Sequence, residues 1–551
     1  SLLTPEDGGE VELAAGDALP PDLPLGYHSL TRHQDGRRTA VIVSPGRCLL
    51  PPRPAWGWAL QLYAARSAES WGIGDLADLR RLTGWSERDL GAGLVLVNPL
   101  HAALPGEPQT ASPYFPSSRR FRNPLYLRVE EVPGANEVDL GEAAAAGRAL
   151  NAERLIDRDA VYRLKMGALA RLWERFPEDD PAFGAYCTAE GSSLEDYGTF
   201  CALAEEFGRP WLGWPAEYRH PAAPGVARYR REHLRRVRFH MWLQWLIDRQ
   251  LDRASDSLAV LHDLAIGVDL AGADTWLWQD LVVAQMRVGA PPDEFNRRGQ
   301  DWGVPPFDPW KLRAAGYGPF IETVRSTVRH GGGMRADHVM GLFRLFWVPR
   351  GASPAGGTYV RYPAGDLLDI VALESHRAGA FVVGEDLGTV EEHVRAELAA
   401  RNVLSYRLLW FERDDPERWP GKALAAVSTH DLPTVAGLWT GADLEAQKKL
   451  DLDPNQDGAA ATREHLRQAA GVDGDAPTDE AMLGAYAALA RTPCLLLAAT
   501  LDDALGVEER PNIPGITDEW PNWSIALPQT LEEIERDPRP RRVADLLRRP
   551  E

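Results

Sequence analysis

Eight short apolar segments, each followed by a stretch with helical periodicity, constrain the fold of this chain more than any other feature. In order they read WGWALQLY, GAGLVLVNPL, DLAIGVDL, GGMRADHV, GAFVVGEDL, NVLSYRLLWF, ALAAVSTHDL and PCLLLAAT. Apolar runs of this length between helical segments are typical of buried parallel strands, and eight of them are what a closed barrel requires. The sequence therefore predicts an α/β fold: a (β/α)8 TIM barrel with large helical insertions and a small N-terminal β element.

Changes of pattern along the 551 residues predict the boundaries of these parts. Residues 53–551 should form the barrel, with a mainly helical insertion at about 130–252. Within it, RDAVYRLKMGALARLWERF and VRFHMWLQWLIDRQL place apolar residues three and four apart, so Trp242 and Trp245 should face a core. Residues 1–52 are punctuated by Pro and Gly and contain two strand candidates, VELAA and TAVIVS. We expect this N-terminal β region to be incomplete, and the first residue, Ser1, indicates a trimmed or engineered start.

Charge and cysteine content exclude several classes of partner. A net charge of −20 argues against nucleic acid and anionic membranes, since both require a basic face. The chain contains 4 cysteines, which are far apart and lack metal-ligand spacing, so we expect a cytoplasmic protein with free thiols. It has neither a long apolar run that could cross a membrane nor an acidic loop with calcium-site spacing. We therefore expect no membrane segment, no metal and no cofactor.

Charged residues stand where three of the apolar segments end. The pairs are Arg335 with Asp337, Glu385 with Asp386, and His430 with Asp431. In a (β/α)8 barrel the carboxyl ends of the strands share one rim, and this rim carries the reactive groups. Three coincident pairs favour an active site over isolated structural ion pairs.

Two carboxylates with a third beside them match the chemistry of retaining glycosidic bond cleavage. In that reaction an ionised carboxylate attacks the anomeric carbon, and a protonated one donates to the leaving oxygen and then acts as base. Arg335 and Asp337 are two residues apart on a strand and point to the same side, so we expect the arginine to hold Asp337 ionised. Asp337 is thus the predicted nucleophile and Glu385 the predicted acid/base.

Several longer motifs carry a resemblance to a known family. They are MRADHVMGLFRLFW, VVGEDLGTV, STHDLPT, SPYFPSSRRFRNPLYL, GAPPDEFNRRGQDWGVPPFDP and NIPGITDEWPNW. Together, and in the order in which they occur along the chain, they closely resemble the bacterial 4-α-glucanotransferases (amylomaltases, glycoside hydrolase family 77) from about Pro20 to Leu527.

The resemblance implies a role for each matching residue. It implies that Asp337 is the nucleophile, that Glu385 is the acid/base, and that Asp431 grips the hydroxyls of the donor sugar. It further implies contacts with substrate by Tyr114, Gln300, Trp302, Arg335, His338, His430 and Asn512. Its implied ligands are malto-oligosaccharides and α-1,4-glucans, as donor and as acceptor.

Other positions are ambiguous or depart from the family. Asp269 and Asp274 fit either ligand contacts or helix caps; we assign Asp269 to substrate binding and Asp274 to a structural role. Asp75 is predicted to be a cap or loop anchor. Ile516 stands where the family usually has Thr, and the N-terminal β region is shorter than in longer bacterial members.

Two other functions compete with glucan transfer. An amylase-type retaining hydrolase would share the barrel and the carboxylates, but the GEDLG motif and the PPDEFNRRGQDWG loop are of the transferase kind. An inactive glucan-binding protein is the alternative outside enzymes, and the presence of all three carboxylates argues against it.

Overall fold

The eight predicted strands form a closed parallel barrel in the computed structural model, which describes residues 1–14, 16–292, 298–388, 390–516 and 519–549. We number the barrel strands in chain order as β1 (Ala55–Leu60), β2 (Leu94–Val97), β3 (Ala259–Leu264), β4 (Gly333–Ala336), β5 (Phe381–Gly384), β6 (Leu404–Leu408), β7 (Ala423–Ala426) and β8 (Leu496–Thr500). Strand β8 pairs with β1, with Thr500 opposite Ala59, and this pairing closes the ring. The predicted (β/α)8 TIM barrel is confirmed.

The position of β3 differs from the prediction. The segment predicted as this strand begins at Asp263, whereas β3 runs from Ala259 to Leu264, so only two residues are shared. The carbonyl groups of Ala265 and Ile266 accept hydrogen bonds from the Arg119 side chain instead of from a neighbouring strand. The apolar residues that follow Leu264 belong to a packed loop. Periodicity alone cannot distinguish a short apolar loop from a buried strand.

Helices surround the barrel and fill its insertion. Before the insertion lies Leu76–Leu90, which begins at the cap residue Asp75 in a capping box with Asp78 and ends at Gly91 with φ of 66°. The prediction that Asp75 is a cap is therefore confirmed. The later helices are Ala273–Leu277, Pro309–Ala314, Gly318–Val328, Ala364–Ala378, Glu392–Ala400, Val435–Thr440, Ala442–Lys449, Gln456–Ala470, Thr478–Ala490, Leu501–Ala504, Leu531–Ile534 and Pro538–Leu547.

The insertion is helical, as its periodicity predicts. Its helices are Gly141–Ala149, Arg158–Trp173, Pro181–Phe207, Pro224–Glu232 and Leu234–Ala254. Trp242 and Trp245 are buried in an aromatic cluster, which confirms that they face a core. None of the helices in the described ranges is long and apolar enough to cross a bilayer.

Antiparallel strands form two smaller sheets and one hairpin. The N-terminal sheet contains Leu2–Thr4, Val11–Glu12, Gly26–Thr31 and Arg38–Val43; the sequence predicted strands only at the second and fourth of these. A second sheet contains Met286–Ala290, Gln300–Asp301, Arg344–Pro349 and Thr358–Arg361, and the hairpin joins His101–Ala102 to Ser118–Arg122. The domain boundary at residue 52 stays a prediction.

Candidate active site

The site lies at the carboxyl ends of the barrel strands, where the sequence predicts it. Arg335 belongs to β4 and Asp337 follows that strand, while Glu385 follows β5 directly. Backbone bonds fix this register: Asp337 N donates to the Leu264 carbonyl of β3, and Glu385 N donates to the Ala336 carbonyl of β4. Carboxylates from separate strands are thereby brought to one rim.

Arg335 joins two carboxylates, one of which the sequence analysis missed. Its Nη1 lies 2.7 and 2.8 Å from the two carboxylate oxygens of Asp263 at the end of β3, and 3.1 Å from Asp337 Oδ1. Asp263 also accepts a hydrogen bond from the Tyr114 hydroxyl. A carboxylate near the carboxyl end of a barrel strand could have indicated a site residue. The misplaced β3 prediction instead put Asp263 at the start of its segment, far from the rim.

The acidity of Asp337 differs from the expectation. Burial raises the pKa of Asp337 to about 6; Arg335 and His430 act to lower it, whereas Asp263 and Glu385 add to the rise. Arg335 therefore does not by itself hold Asp337 in the ionised form: burial, with Asp263 and Glu385 adding to it, outweighs the arginine, which also pairs with Asp263. At neutral pH Asp337 is still mainly ionised.

Glu385 is held by two backbone amides. His338 N donates to its Oε2 at 3.0 Å and Leu387 N donates to its Oε1 at 2.7 Å. Burial raises the pKa of Glu385 although Arg335 and both amides act to lower it. The neighbouring Asp386 points elsewhere and accepts bonds from Ser405 Oγ and Tyr406 N. Only the first member of this acidic pair therefore belongs to the site.

The pKa of Asp431 is lowered, in contrast to the raised pKa values of Asp337 and Glu385. Burial disfavours its charge, but His430, whose Nε2 lies 3.4 Å from Asp431 Oδ2, and Asn512, which donates to Oδ1 at 2.6 Å, lower the pKa of Asp431 to about 2. Its side chain is 45% exposed, so it faces an open cleft. The ring of His430 lies 5.0 Å from both Tyr114 and Trp523, so an aromatic wall stands beside the carboxylate.

Gln300 and Trp302 lie together beside the acid/base side of the cleft. The Trp302 indole donates to Gln300 Oε1 at 2.8 Å, and its ring meets His338 edge-on at 5.1 Å. Burial lowers the pKa of His338, which favours a neutral imidazole. Residues 293–297 of the same loop lie outside the described residues.

Asp269 and Asp274 make contacts outside this cluster. The Asp269 carboxylate accepts a bond from Ala271 N at 2.8 Å, and its own amide donates to the Pro116 carbonyl. Its assignment to substrate binding stays a prediction. Asp274 is buried and accepts from Arg119 N at 2.9 Å, which agrees with the structural role predicted for it.

A cleft opens at the carboxyl end of the barrel, lined by residues from several strands and the loops that follow them. Its walls include Asp263, Arg335 and His430, together with polar residues that the sequence analysis did not select, among them Gln61 and Asp502. Burial raises the pKa of Asp502 to about 7, with Asp503 adding to the rise. Within the described part of the chain, no three His, Cys, Asp or Glu side chains are arranged to hold a metal ion.

Comparisons with known proteins agree with this architecture. A family model described as 4-alpha-glucanotransferase matches residues 60–530. A 4-alpha-glucanotransferase of Mycobacterium tuberculosis is 45% identical over 590 residues, which cover 97% of this chain and 81% of the relative. The enzyme of Haemophilus influenzae is 33% identical over 579 residues, covering 94% of this chain and 82% of the relative.

Solved structures show the same similarity. The amylomaltase of Corynebacterium glutamicum superposes with a TM-score of 0.89 at 33% identity, covering 100% of this chain and 86% of its own. The Streptococcus agalactiae amylomaltase, solved with acarbose, shares the fold with a TM-score of 0.75 at 16% identity, covering 90% of this chain and 98% of its own. On the family match and the identity to these relatives, the chain belongs to the 4-alpha-glucanotransferase family, glycoside hydrolase family 77.

Proposed function

We propose that the chain transfers α-1,4-glucan segments between malto-oligosaccharides through a glycosyl-enzyme intermediate on Asp337. The observation that carries the proposal is the contrast in acidity at the rim of the barrel. Burial raises the pKa of Asp337 and of Glu385, whereas the pKa of Asp431 is low. Groups that differ in this way can supply the nucleophile, the acid and the fixed negative charge of one double displacement.

In the first step Asp337 attacks the anomeric carbon of the donor while Glu385 protonates the leaving oxygen. The glycosidic bond breaks, an ester bond to Asp337 forms, and the shortened glucan leaves with the proton. In the second step the ionised Glu385 takes a proton from the acceptor hydroxyl, which attacks the same carbon and frees Asp337. Arg335 lies between Asp263 and Asp337 and stabilises the carboxylate that leaves.

We assign the donor sugar to the side of the cleft formed by Asp431, His430 and Asn512. Because its pKa is about 2, Asp431 is ionised at neutral pH and is a strong acceptor for sugar hydroxyls. Tyr114 lies beside His430 and provides a flat ring for the apolar face of a pyranose. Tight contacts in this position favour a distorted ring and so lower the barrier to attack.

We assign the acceptor sugar to Gln300, Trp302 and His338. The Trp302 ring and the Gln300 amide offer a stacking face and a hydrogen bond within one small area. A bound and oriented acceptor hydroxyl competes with water at a large effective molarity, which favours transfer over hydrolysis.

We also propose a cytoplasmic location. The support is that all four cysteines, Cys48, Cys187, Cys201 and Cys494, are free thiols, which is usual in a reducing compartment.

Incubation with maltotriose tests the function directly. Transfer produces glucose and longer oligomers at a constant number of reducing ends, because each event breaks one glycosidic bond and makes another. Hydrolysis adds one reducing end per event and produces only shorter sugars. New reducing ends without longer oligomers would establish the hydrolase, and an unchanged substrate would establish the inactive binding protein.

A further inference from the structure

A buried ion pair lies directly behind Asp431. Arg510 and Asp443 have side chains that are each only 8% exposed; Arg510 Nη2 donates to Asp443 Oδ2 at 3.2 Å, and its Nε lies 2.8 Å from Oδ1 in ion-pair contact without a hydrogen bond. Asp443 is itself held by Gln447 Nε2 at 2.8 Å. Because the guanidinium is planar and one of its edges lies against the Asp443 carboxylate, its remaining nitrogen, Nη1, points in a defined direction.

That remaining nitrogen contacts the catalytic turn. Arg510 Nη1 donates at 2.9 Å to the backbone carbonyl of Asp431. Asn512, two residues after Arg510, donates its backbone N–H to the His430 carbonyl and its side-chain amide to Asp431 Oδ1. The loop after β8 therefore holds the turn after β7 by backbone and side chain at once.

The same part of the chain is joined further along by two bonds that do not involve an arginine. Thr434 Oγ1 donates to the Val507 carbonyl at 2.7 Å, and Val435 N donates to Asp503 Oδ1 at 2.7 Å. These bonds fix the start of the helix Val435–Thr440. Neither of these bonds contacts the Asp431 carbonyl, which accepts from Arg510 Nη1.

We propose that Arg510, anchored by Asp443, is a positioning residue that holds Asp431 in the orientation needed to grip the donor sugar. The proposal rests on the function proposed above for Asp431. Rotation of the Asp431 peptide would swing its carboxylate away from the sugar, and a misplacement of about 1 Å can cost about a hundredfold in rate. Burial also makes the contact strong, because little water competes for the Asp431 carbonyl.

Arg510→Lys is the main test variant, since it keeps the positive charge and much of the volume. A single ammonium cannot hold both oxygens of Asp443 and the Asp431 carbonyl in one plane. We expect kcat to fall about tenfold to a hundredfold, with KM changed less than about threefold. Asp443→Asn should give a smaller loss of the same kind. If the parent protein shows transfer activity and Arg510→Lys has the same kcat, the inference is overturned and the proposed function stands.

A double-mutant cycle separates positioning from general structural damage. The donor is α-maltosyl fluoride, whose leaving group needs no proton, so that Glu385 does not limit the first step. If Arg510 acts through Asp431, Arg510→Lys combined with Asp431→Asn should be no slower than Asp431→Asn alone. Losses that multiply would show that Arg510 acts elsewhere and would overturn the inference.

The neighbouring pair Arg154–Glu509 provides a matched control. Its nitrogen and oxygen lie 2.9 Å apart at exposures of 38% and 37%, and Glu509 directly precedes Arg510 in the chain. Glu509→Gln should keep kcat within about twofold of the parent, because exposed pairs contribute little. Rates are expressed per folded molecule, measured by circular dichroism and by counting the trapped glycosyl-enzyme. An equal loss in Glu509→Gln would assign the effect to the loop as a whole and contradict the specific role of Arg510.

Discussion

Arg335 donates to both carboxylate oxygens of Asp263 and lies 3.1 Å from Asp337 Oδ1, so one guanidinium is shared by two carboxylates. Asp337 receives only part of the stabilisation that a single arginine neighbour would provide, and burial and the adjacent carboxylates raise its pKa to about 6. A carboxylate of this kind is ionised at neutral pH yet is a better nucleophile than an ordinary aspartate, because it is less stabilised as an anion.

The two carboxyls to which we assign the catalytic roles should respond differently to amide replacement. Asp337→Asn and Glu385→Gln should each lower kcat with natural donors by at least about a thousandfold while leaving the fold intact. With an activated fluoride donor, Glu385→Gln should still accumulate the glycosyl-enzyme, since that step no longer needs a proton. Mass spectrometry of the quenched protein detects the intermediate. Accumulation in Asp337→Asn but not in Glu385→Gln would reverse the two roles.

The pH profile of kcat/KM should lose its acid side near pH 6. Asp337 attacks only when ionised, so activity declines as pH falls through the raised pKa of about 6. Asp263→Asn removes a negative neighbour that raises this pKa, so the acid limb of the residual activity should move to lower pH. The measurement is initial rate against pH for parent and variant. An upward movement of the limb would contradict the charge sharing described for Arg335.

At the scale of elements, the proposed nucleophile and acid/base lie on the barrel, whereas the proposed acceptor residues Gln300 and Trp302 lie on an added loop. The strand Gln300–Asp301 pairs with Met286–Ala290 in an antiparallel sheet that is separate from the barrel. Trp302 is placed by this sheet next to His338, which follows β4. A loop fixed to its own sheet can shape the acceptor position without altering the carboxylates on the barrel strands.

Trp302→Ala should increase hydrolysis relative to transfer. The variant loses the stacking face and the support of Gln300, so the acceptor is held less firmly and water competes better. We expect the ratio of new reducing ends to transferred segments to rise about tenfold during a maltotriose incubation, while donor cleavage changes less than about threefold. Trp310 is 76% exposed and serves as the control, because Trp310→Ala should leave the ratio unchanged. A fall in both reactions together would refute the acceptor role.

The helical insertion is joined to the barrel through a buried charged group. Lys165 of Arg158–Trp173 is 1% exposed and donates to the carbonyls of Leu125 and Leu127 at 2.7 and 2.8 Å. Its Nζ lies 3.6 Å from Asp75, which caps the helix Leu76–Leu90. The cap residue therefore connects the first barrel helix to the insertion as well as starting that helix.

Lys165→Met should destabilise the whole protein by about 3 kcal/mol, because it leaves two buried carbonyls and part of a buried carboxylate cluster without their partner. The lower stability is read as a lower melting temperature at a fixed scan rate. Arg163 is on the same helix with a side chain 56% exposed, and Arg163→Met should change stability by less than about 0.5 kcal/mol. Equal melting temperatures for Lys165→Met and the parent would show that the contacts of Lys165 with Leu125, Leu127 and Asp75 do not contribute to stability.

At the scale of the whole molecule, one buried carboxyl at the carboxyl end of a barrel strand makes the stability of the protein depend on pH. Asp502 follows β8 and lines the cleft, and the neighbouring carboxyl of Asp503 also disfavours its charge. Its folded pKa, about 7, lies above the value in the unfolded chain. Folding therefore favours the protonated form, and stability is lost as pH rises from about 4 to about 7.

Asp502→Asn should accordingly stabilise the protein at alkaline pH and have little effect at acid pH. We expect a gain of about 2 kcal/mol at pH 8, half of what the full shift would give because the cleft admits water, and only about 0.5 kcal/mol at pH 4.5. Melting temperatures of parent and variant at the two pH values measure it. A gain that is equal at both pH values would show that the charge of Asp502 is not the cause.

The amino-acid sequence by itself was sufficient to predict the features of this protein that depend on local patterns of residues. Apolar runs between helical stretches predicted the eight barrel strands, and the positions of Asp337, Glu385 and Asp431 after three of them predicted the rim. Spacing of three and four predicted the buried face that includes Trp242 and Trp245. Such patterns are readable because they repeat within a few residues, and the carboxyl ends of parallel strands must meet at one edge.

Tertiary structure decided the features that depend on distance through space. Asp263 and Arg335 are 72 residues apart, and Arg510 and Asp443 are 67 apart, so no local pattern connects either pair. The same is true of the acidity of the carboxyls: Asp337 and Asp431 are both aspartates after barrel strands, yet burial beside carboxylates raises one pKa and His430 with Asn512 lowers the other. A pKa is set by desolvation and by neighbouring charges, and only the folded chain brings those neighbours within a few ångströms.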